Sequence, residues 1–313
     1  MKTFITDSPE AAAEYIKRGG IVAFPTETVY GLGASVFDEL AVAKIFDAKQ
    51  RPADNPLIAH IGHIEQIAEL SGDVNEYARK FIEAFFPGPL TVVLKKKESV
   101  PYAATAGLDT IGIRMPRFPL AQNFLRECGV PIVAPSANLS GRPSPTTWEA
   151  VLEDLDGRID CILQGAECEI GLESTVVDCT SEVPMVLRSG SISIERLREA
   201  VPQTSVYMAT NVEAPKSPGL RHRHYSPRAS VVIVTDVGVL GYEPNAGFIG
   251  LTRPADSFDR QLICDGIDEM AHSLFEFFRE CDRDGIEQII CESVDESGIG
   301  TALMDRIKRA AEA

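Results

Sequence analysis

Lys49-Gln50-Arg51-Pro52-Ala53-Asp54-Asn55-Pro56-Leu57-Ile58-Ala59-His60 sets two cations, an amide and a histidine along a chain that two prolines keep out of helix. A helix-like run from Asp38 to Ala48, with Leu40, Ile45 and Phe46 available for a core, leads in. An apolar, strand-like run from Pro56 to Ile61 leads out. The polar groups therefore sit on a helix-to-strand connection braced at both ends, where binding residues are often found. Taken alone, the stretch is equally well a solvated turn whose Lys49 and Arg51 are last-turn cations favoured by the helix dipole.

The same alternation extends in both directions. Pro9 to Arg18 reads as a short helix stopped by Gly19-Gly20, followed by the apolar run Ile21 to Phe24. That run opens into Pro25-Thr26-Glu27-Thr28-Val29-Tyr30-Gly31-Leu32-Gly33, which reads as a loop whose glycines allow close backbone approach to a ligand and whose hydroxyls donate and accept. Neither a complete dinucleotide fingerprint nor a Gly-x-x-x-x-Gly-Lys-Ser/Thr phosphate loop occurs. Downstream, Glu65–Ser71 and Glu76–Phe86 have helical spacing, Pro87-Gly88-Pro89 ends the second, and Leu90–Lys95 reads as a strand. Thr110 opens the strand Ile111–Met115, which buries Arg114 among apolar neighbours. An unpaired charge there would cost several kcal/mol, so either a salt bridge or a ligand anion must meet it.

A helix from Pro119 through Leu120–Glu127 and a strand Pro131–Ala134 lead to the loop Pro135 to Thr147, which carries Ser136, Asn138, Ser144 and Arg142. Its position after a buried-type strand is where open α/β sheets bind ligands. A helix Trp148–Leu155, strand-like runs at Cys161–Gln164, Gly171–Asp178 and Met185–Gly190, and a helix Ile194–Ala200 capped by Ser193 close a first unit, residues 1–201. Residues 202–229 lack periodicity and read as a linker. From 230 to 313 a second alternation of strands and helices indicates a small α/β domain of Rossmann-like layering, with Met270, Leu274, Phe277 and Phe278 as a core stripe.

Composition narrows the function. The 313 residues are 44% apolar and 24% charged, an ordinary globular balance, and no apolar run is long enough to span a membrane. A net charge of -16 argues against gripping nucleic acid by general electrostatics. One basic strap departs from it: Lys216, Arg221, Arg223 and Arg228, with His222 and His224, lie in the acid-free window 214–235. Seven cysteines without a Cys-x-x-Cys pair, and an N-terminus without a signal-peptide pattern, point to reduced thiols in the cytoplasm. The polar loops hold neither a Cys–His pair nor a metal-binding spacing. They are rich in donors for phosphate and carboxylate, which suits phosphoryl or nucleotidyl transfer by positioning and charge neutralisation.

These motifs resemble the YrdC-like family: Pro25 to Gly33, Lys49-x-Arg51 with Asn55-Pro56-Leu57, Pro87 to Thr91, Arg114-Met115-Pro116, Pro135-Ser136-Ala137-Asn138 and Glu173-Ser174-Thr175. The linker sequence Ser217-Pro218-Gly219 to His224-Tyr225-Ser226-Pro227 and the second domain make the chain similar to the long, two-domain threonylcarbamoyl-AMP synthases of that family. The resemblance implies a twisted open α/β sheet domain with a concave site. It implies an enzyme that converts L-threonine, bicarbonate and ATP to threonylcarbamoyl-AMP and pyrophosphate, for modification of tRNA beside the anticodon by a separate transferase. It further implies that Thr28, His60, Arg114, Ser136 and Ser174 hold threonine, with Arg114 on its carboxylate. ATP falls to Arg51, Asn55, Thr110, Asn138, Ser144, Arg188, His224 and Tyr225, with Lys49 and Arg51 as the catalytic cations. The strap then folds over the nucleotide as a lid, and magnesium arrives on the phosphates with no metal site of the protein's own. Two competing readings are an RNA-gripping module, against which the acidic balance weighs, and carbamoyl transfer from carbamoyl phosphate, whose extra zinc and acylphosphatase-like modules this chain lacks.

Overall fold

The computed structural model describes residues 2–207 and 225–312. Among these residues, eleven strands form one mixed sheet. Its spatial order is Phe4–Thr6, Cys161–Leu163, Val22–Phe24, Gly31–Ser35, Ile132–Val133, Ile58–His60, Thr110–Arg114, Leu90–Lys95, Thr175–Asp178, Met185–Arg188 and Ser205–Val206. The alternation along Ile21 to Phe24 assigns the faces. Ile21 and Ala23 join the larger core, while Val22 and Phe24 pack with the helices Pro9–Lys17 and Pro119–Cys128.

The helix Glu39–Lys49 starts where the Asp38 side chain accepts from Ala41 N, and it ends at Gln50, whose φ of 52° turns the chain into the site loop. A left-handed backbone at a non-glycine residue is held there by the surrounding structure. Ala41, Val42, Ile45 and Phe46 face the core. Leu40, expected in that core, is 79% exposed, because it shares the outer face with Ala43, Lys44 and Asp47 at helical spacing.

Gly31 to Gly33, read from sequence as the end of a loop, belongs to the strand Gly31–Ser35, which pairs antiparallel to Val22–Phe24 and to Ile132–Val133. Its glycines answer to packing. A Cβ on Gly33 would stand 2.6 Å from Ile132 Cγ2 and 3.0 Å from Phe24 Cε1. The two neighbouring side chains already fill the face that a residue here would use. Glu65–Ser71 resolves into the 3-10 turn Ile64–Gln66 and the short helix Ile67–Leu70, while the helix Tyr102–Thr105 and the strand Arg260–Ile263 carry no pattern that marked them. Ser205–Val206 lies within the stretch read as linker and adds an edge strand parallel to Met185–Arg188.

A second sheet, ordered Ser230–Val234, Gln288–Glu292, Ala246–Gly250, Arg260–Ile263, is parallel throughout. The helices Ile267–Asp284 and Gly300–Ala311 cover the face bearing Val231, Ile249 and Ile289. Val237 and Phe258, from the connections, close over Phe248 and Ile290 on the other. Burial on both faces is what a parallel sheet requires. The first helix also meets the large unit. Gly171, with φ of +81°, approaches so closely that a Cβ would stand 2.3 Å from His272 O. Arg279, fully buried, places Nη2 2.9 Å from Asp154 Oδ2 and donates to Pro143 O at 2.6 Å.

The Gly33→Ala variant is expected to lose about 1–3 kcal/mol of stability through overpacking against Ile132 and Phe24. A shift in the urea midpoint at unchanged slope measures it, and an unshifted midpoint would show that the face has room.

Candidate functional site

Ile58–His60 and Thr110–Arg114 are neighbouring parallel strands in which His60 pairs with Arg114, so both side chains emerge side by side at the strands' carboxyl ends. Around them the loops at 26–31, 51–58, 134–136 and 173–174, with Arg188 and Tyr225, enclose about 650 Å³ of empty space, part of it open to solvent. Of the residues singled out from sequence, the cavity brings together Thr28, Arg51, His60, Arg114, Ser136, Ser174, Arg188 and Tyr225.

Arg114 is 4% exposed and stands among fixed partners. Nε donates to Gly88 O at 3.3 Å and Nη1 to Thr28 Oγ1 at 2.8 Å; Nη2 lies 2.8 Å from Oε1 of the fully buried Glu27. A guanidinium carries five N–H donors, so an end facing the cavity keeps capacity for a carboxylate. Glu27 Oε2 in turn accepts from Arg117 N. Thr28 Oγ1 is paired to Thr26 Oγ1 at 2.8 Å. His60 donates from Nδ1 to Ile58 O at 3.1 Å, and burial together with the Arg114 charge lowers its pKa to about 3. The cavity therefore holds a neutral imidazole beside a cation.

Arg188 donates from Nε and Nη2 to Ser174 O at 3.1 and 2.9 Å and from Nη2 to Ser174 Oγ at 3.1 Å. Ser174 Oγ also meets Thr91 Oγ1 at 2.8 Å. Arg51 Nη2 donates to Asn55 O at 3.3 Å, and burial lowers the Arg51 pKa to about 10, well above neutrality. Three guanidinium groups thus line one hollow in an acidic chain.

The other expected residues stand differently. Lys49 lies behind the cavity wall, 2% exposed, with Nζ donating at 2.6 Å to both Ser136 O and Asn138 O. Burial, with the Arg51 charge beside it, pushes its pKa well below the usual lysine range. Asn138 receives Ser136 Oγ at 2.5 Å and donates to Leu139 O and Arg142 O, which shapes the loop under Ser136. Asn55 is buried and Ser144 Oγ donates to Glu173 Oε1 at 2.6 Å. Thr110 lines a smaller adjoining cavity that shares Pro56, Leu57 and Ile58 with the first. His224 and the basic strap at 216–223 lie outside the described residues.

Two carboxylates of the site went unassigned in sequence, Glu27 behind Arg114 and Glu173 in the cavity wall. Each was visible as an acid inside an otherwise uncharged motif. Their oxygens are engaged by Arg114 and Arg117 N in one case and by Ser144 and Arg306 in the other.

A family model described as "Telomere recombination", covering Sua5, YciO and YrdC proteins, matches residues 14–190. A second, "Threonylcarbamoyl-AMP synthase, C-terminal domain", matches 192–312. The chain is 41% identical to the threonylcarbamoyl-AMP synthase of Pyrococcus abyssi over 96% of its own length and 92% of the relative's. It is 40% identical to that of Bacillus subtilis over 98% and 94%. The solved structure of P. abyssi Sua5 complexed with L-threonine superposes with a TM-score of 0.90 at 39% identity, covering 99% of this chain and 97% of that one.

Because His60 stays neutral in the folded protein down to about pH 3, whereas an unfolded chain protonates it near 6.5, the folded state loses about 1.4 kcal/mol per pH unit from this group as pH falls between those values. The His60→Asn variant lacks that loss. Its stability relative to the parent is expected to rise by about 2 kcal/mol between pH 6.5 and 5. Denaturant titrations at the two pH values check it, and a constant difference would place the imidazole in contact with water.

Proposed function

The chain belongs to the Sua5/YciO/YrdC family and carries the C-terminal domain of threonylcarbamoyl-AMP synthases, and from that premise we propose how its cavity makes threonylcarbamoyl-AMP. The enzyme consumes L-threonine, bicarbonate and ATP. The threonine amine adds to the bicarbonate carbon with loss of water, giving a carbamate. A carbamate oxygen then forms a bond to the α-phosphorus of ATP as the bond to the β-phosphate oxygen breaks, and pyrophosphate leaves.

The single observation that carries this reading is the convergence of Arg51, Arg114 and Arg188 with hydroxyls and a neutral histidine on one cavity. Arg114 takes the threonine carboxylate, since its partners Gly88, Thr28 and Glu27 fix the plane of the guanidinium in advance. Thr28, Ser136 and Ser174 surround the amino acid, and His60, uncharged, accepts it without repelling an ammonium. Arg51 and Arg188 meet the phosphates and stabilise the charge that builds on them during transfer. Asn55, Thr110, Asn138 and Ser144 shape the nucleotide side, with Thr110 in the adjoining hollow. Lys49 acts one layer back, as the amine whose Nζ donors hold the 136–138 loop.

Tyr225, stacked on Phe275 at 5.4 Å, closes one side of the cavity against water that would hydrolyse a reactive mixed anhydride. Magnesium enters as part of the ATP substrate, held by phosphate oxygens and water. The oxygens of Glu27 and Glu173 are already spoken for, and no group of three or more acids, cysteines or histidines among the described residues could hold a metal. The product passes to a separate tRNA threonylcarbamoyl transferase, and the net charge of -16 leaves weak or no direct hold on tRNA. We place the enzyme in the cytoplasm; no helix among the described residues is long and apolar enough to cross a membrane.

Arg51→Ala is expected to cut threonine-dependent pyrophosphate release by about 100-fold or more with an unchanged melting temperature. Lys49→Met, which strands two buried carbonyls, is expected to lower activity and melting temperature together. Normal formation of the adenylate by purified Arg51→Ala, followed by mass detection, would refute the assignment of the phosphates.

A further inference from the structure

The segments 173–175 and 188–190 approach unusually closely. A Cβ on Gly190 would stand 2.3 Å from Thr175 N and 2.6 Å from Glu173 O, so the backbones are in contact there. On the cavity side Arg188 reaches across this junction to Ser174 O and Oγ. On the far side a second guanidinium reaches across it, and that one comes from the C-terminal helix Gly300–Ala311. Arg306 is fully buried. Its Nε donates to Glu173 Oε2 at 3.0 Å, its Nη2 to Ser189 O at 2.9 Å and its Nη1 to Asp305 Oδ2 at 2.6 Å. Its plane lies over the Tyr225 ring, 5.3 Å from the centroid.

We propose that Arg306 is a positioning residue for nucleotide binding, supplied by the C-terminal domain: it grips the residues next to Arg188 and next to Ser174, and it holds the Glu173 charge away from Arg188. The argument is one of competition for a carboxylate. Glu173 and Arg188 both line the cavity, and a buried carboxylate must be met by a cation. With Arg306 present, the Glu173 carboxylate is satisfied by Arg306 and Ser144, and Arg188 keeps its face for an anion. Burial alone would raise the Glu173 pKa, yet it lies below the ordinary value, with the Arg306 charge first and the Arg188 charge second among those that lower it. Without Arg306, Glu173 draws Arg188 into an internal pair, and the cavity loses a phosphate ligand. Tyr225 loses its cation at the same time. The second domain thereby completes the first domain's site from behind, without touching substrate.

This inference rests on the assignment of Arg188 to ATP, so the test carries both. Pyrophosphate release is measured at saturating threonine and bicarbonate with ATP varied, for Arg188→Ala, Arg306→Met, and Arg306→Met combined with Glu173→Gln. Arg188→Ala is expected to raise the ATP KM about tenfold or more, and an unchanged KM there sinks the assignment of ATP to Arg188 itself. With that result in hand, Arg306→Met is expected to raise the ATP KM about tenfold. Adding Glu173→Gln is expected to bring it back to within about threefold of the parent, because the competing charge is gone. A merely structural Arg306 would give no such rescue, since the double variant would be as impaired as the single one. A normal ATP KM in Arg306→Met, or no recovery in the double variant, overturns the proposal. Should Arg306→Met fail to fold, Arg306→Lys takes its place. It keeps a charge opposite Glu173 but cannot span to Ser189 O as well, and it is expected to raise the ATP KM about threefold; an unchanged value overturns the proposal equally.

Discussion

The site depends on a charge that cannot be left alone. Arg114 is almost wholly removed from water, and the structure answers it with the Glu27 carboxylate, the Thr28 hydroxyl and the Gly88 carbonyl. The answers come from two other segments of the chain. The guanidinium therefore ties the end of the strand Thr110–Arg114 to the loop after Val22–Phe24 and to the turn before Leu90–Lys95. Breaking such a pair by removing one partner costs about 3–5 kcal/mol, so the arrangement is held rigidly. Burial, with the same charge beside it, keeps the neighbouring His60 neutral. Rigidity and a fixed protonation state are both properties of a cavity built to receive an anion in one orientation.

Arginine recurs as the organising element elsewhere in the molecule. Arg279 and Arg306, both fully buried on helices of the second domain, reach Asp154 and Glu173 of the first, residues 125 and 133 positions away in the chain. Asp154 in turn accepts from Leu139 N, so one of these pairs touches the loop that carries Ser136 and Asn138. The two domains meet through desolvated charge pairs as well as through apolar packing, which favours one relative placement over sliding alternatives.

Much of the fold could be read from local pattern. Leu90–Lys95 and Trp148–Leu155 fall where the hydrophobic period puts them. Glycine misled the reading at Gly31–Ser35, because a glycine that makes room for Phe24 and Ile132 looks in sequence like one that makes room for a ligand. The convergence of Thr28, His60, Arg114, Ser136, Ser174 and Arg188 has no local signature, since it depends on strand order, and only the resemblance to a family brought these residues together in advance. Lys49 illustrates the opposite limit: its place in the motif was legible, but its burial behind the wall depends on the 136–138 loop folding over it. Arg306 gave no sign at all, sitting beside Asp305, Lys308 and Arg309 on an amphipathic helix as a surface cation would.

The central claim, that one hollow grips an amino acid and a triphosphate together, is tested most directly by a crystal structure with L-threonine and a non-cleavable ATP analogue both bound. The account predicts the threonine carboxylate against the guanidinium of Arg114 and the phosphates between Arg51 and Arg188, with Tyr225 over the same cavity. Threonine lodged away from Arg114, or phosphates bound where neither Arg51 nor Arg188 can reach them, would contradict it.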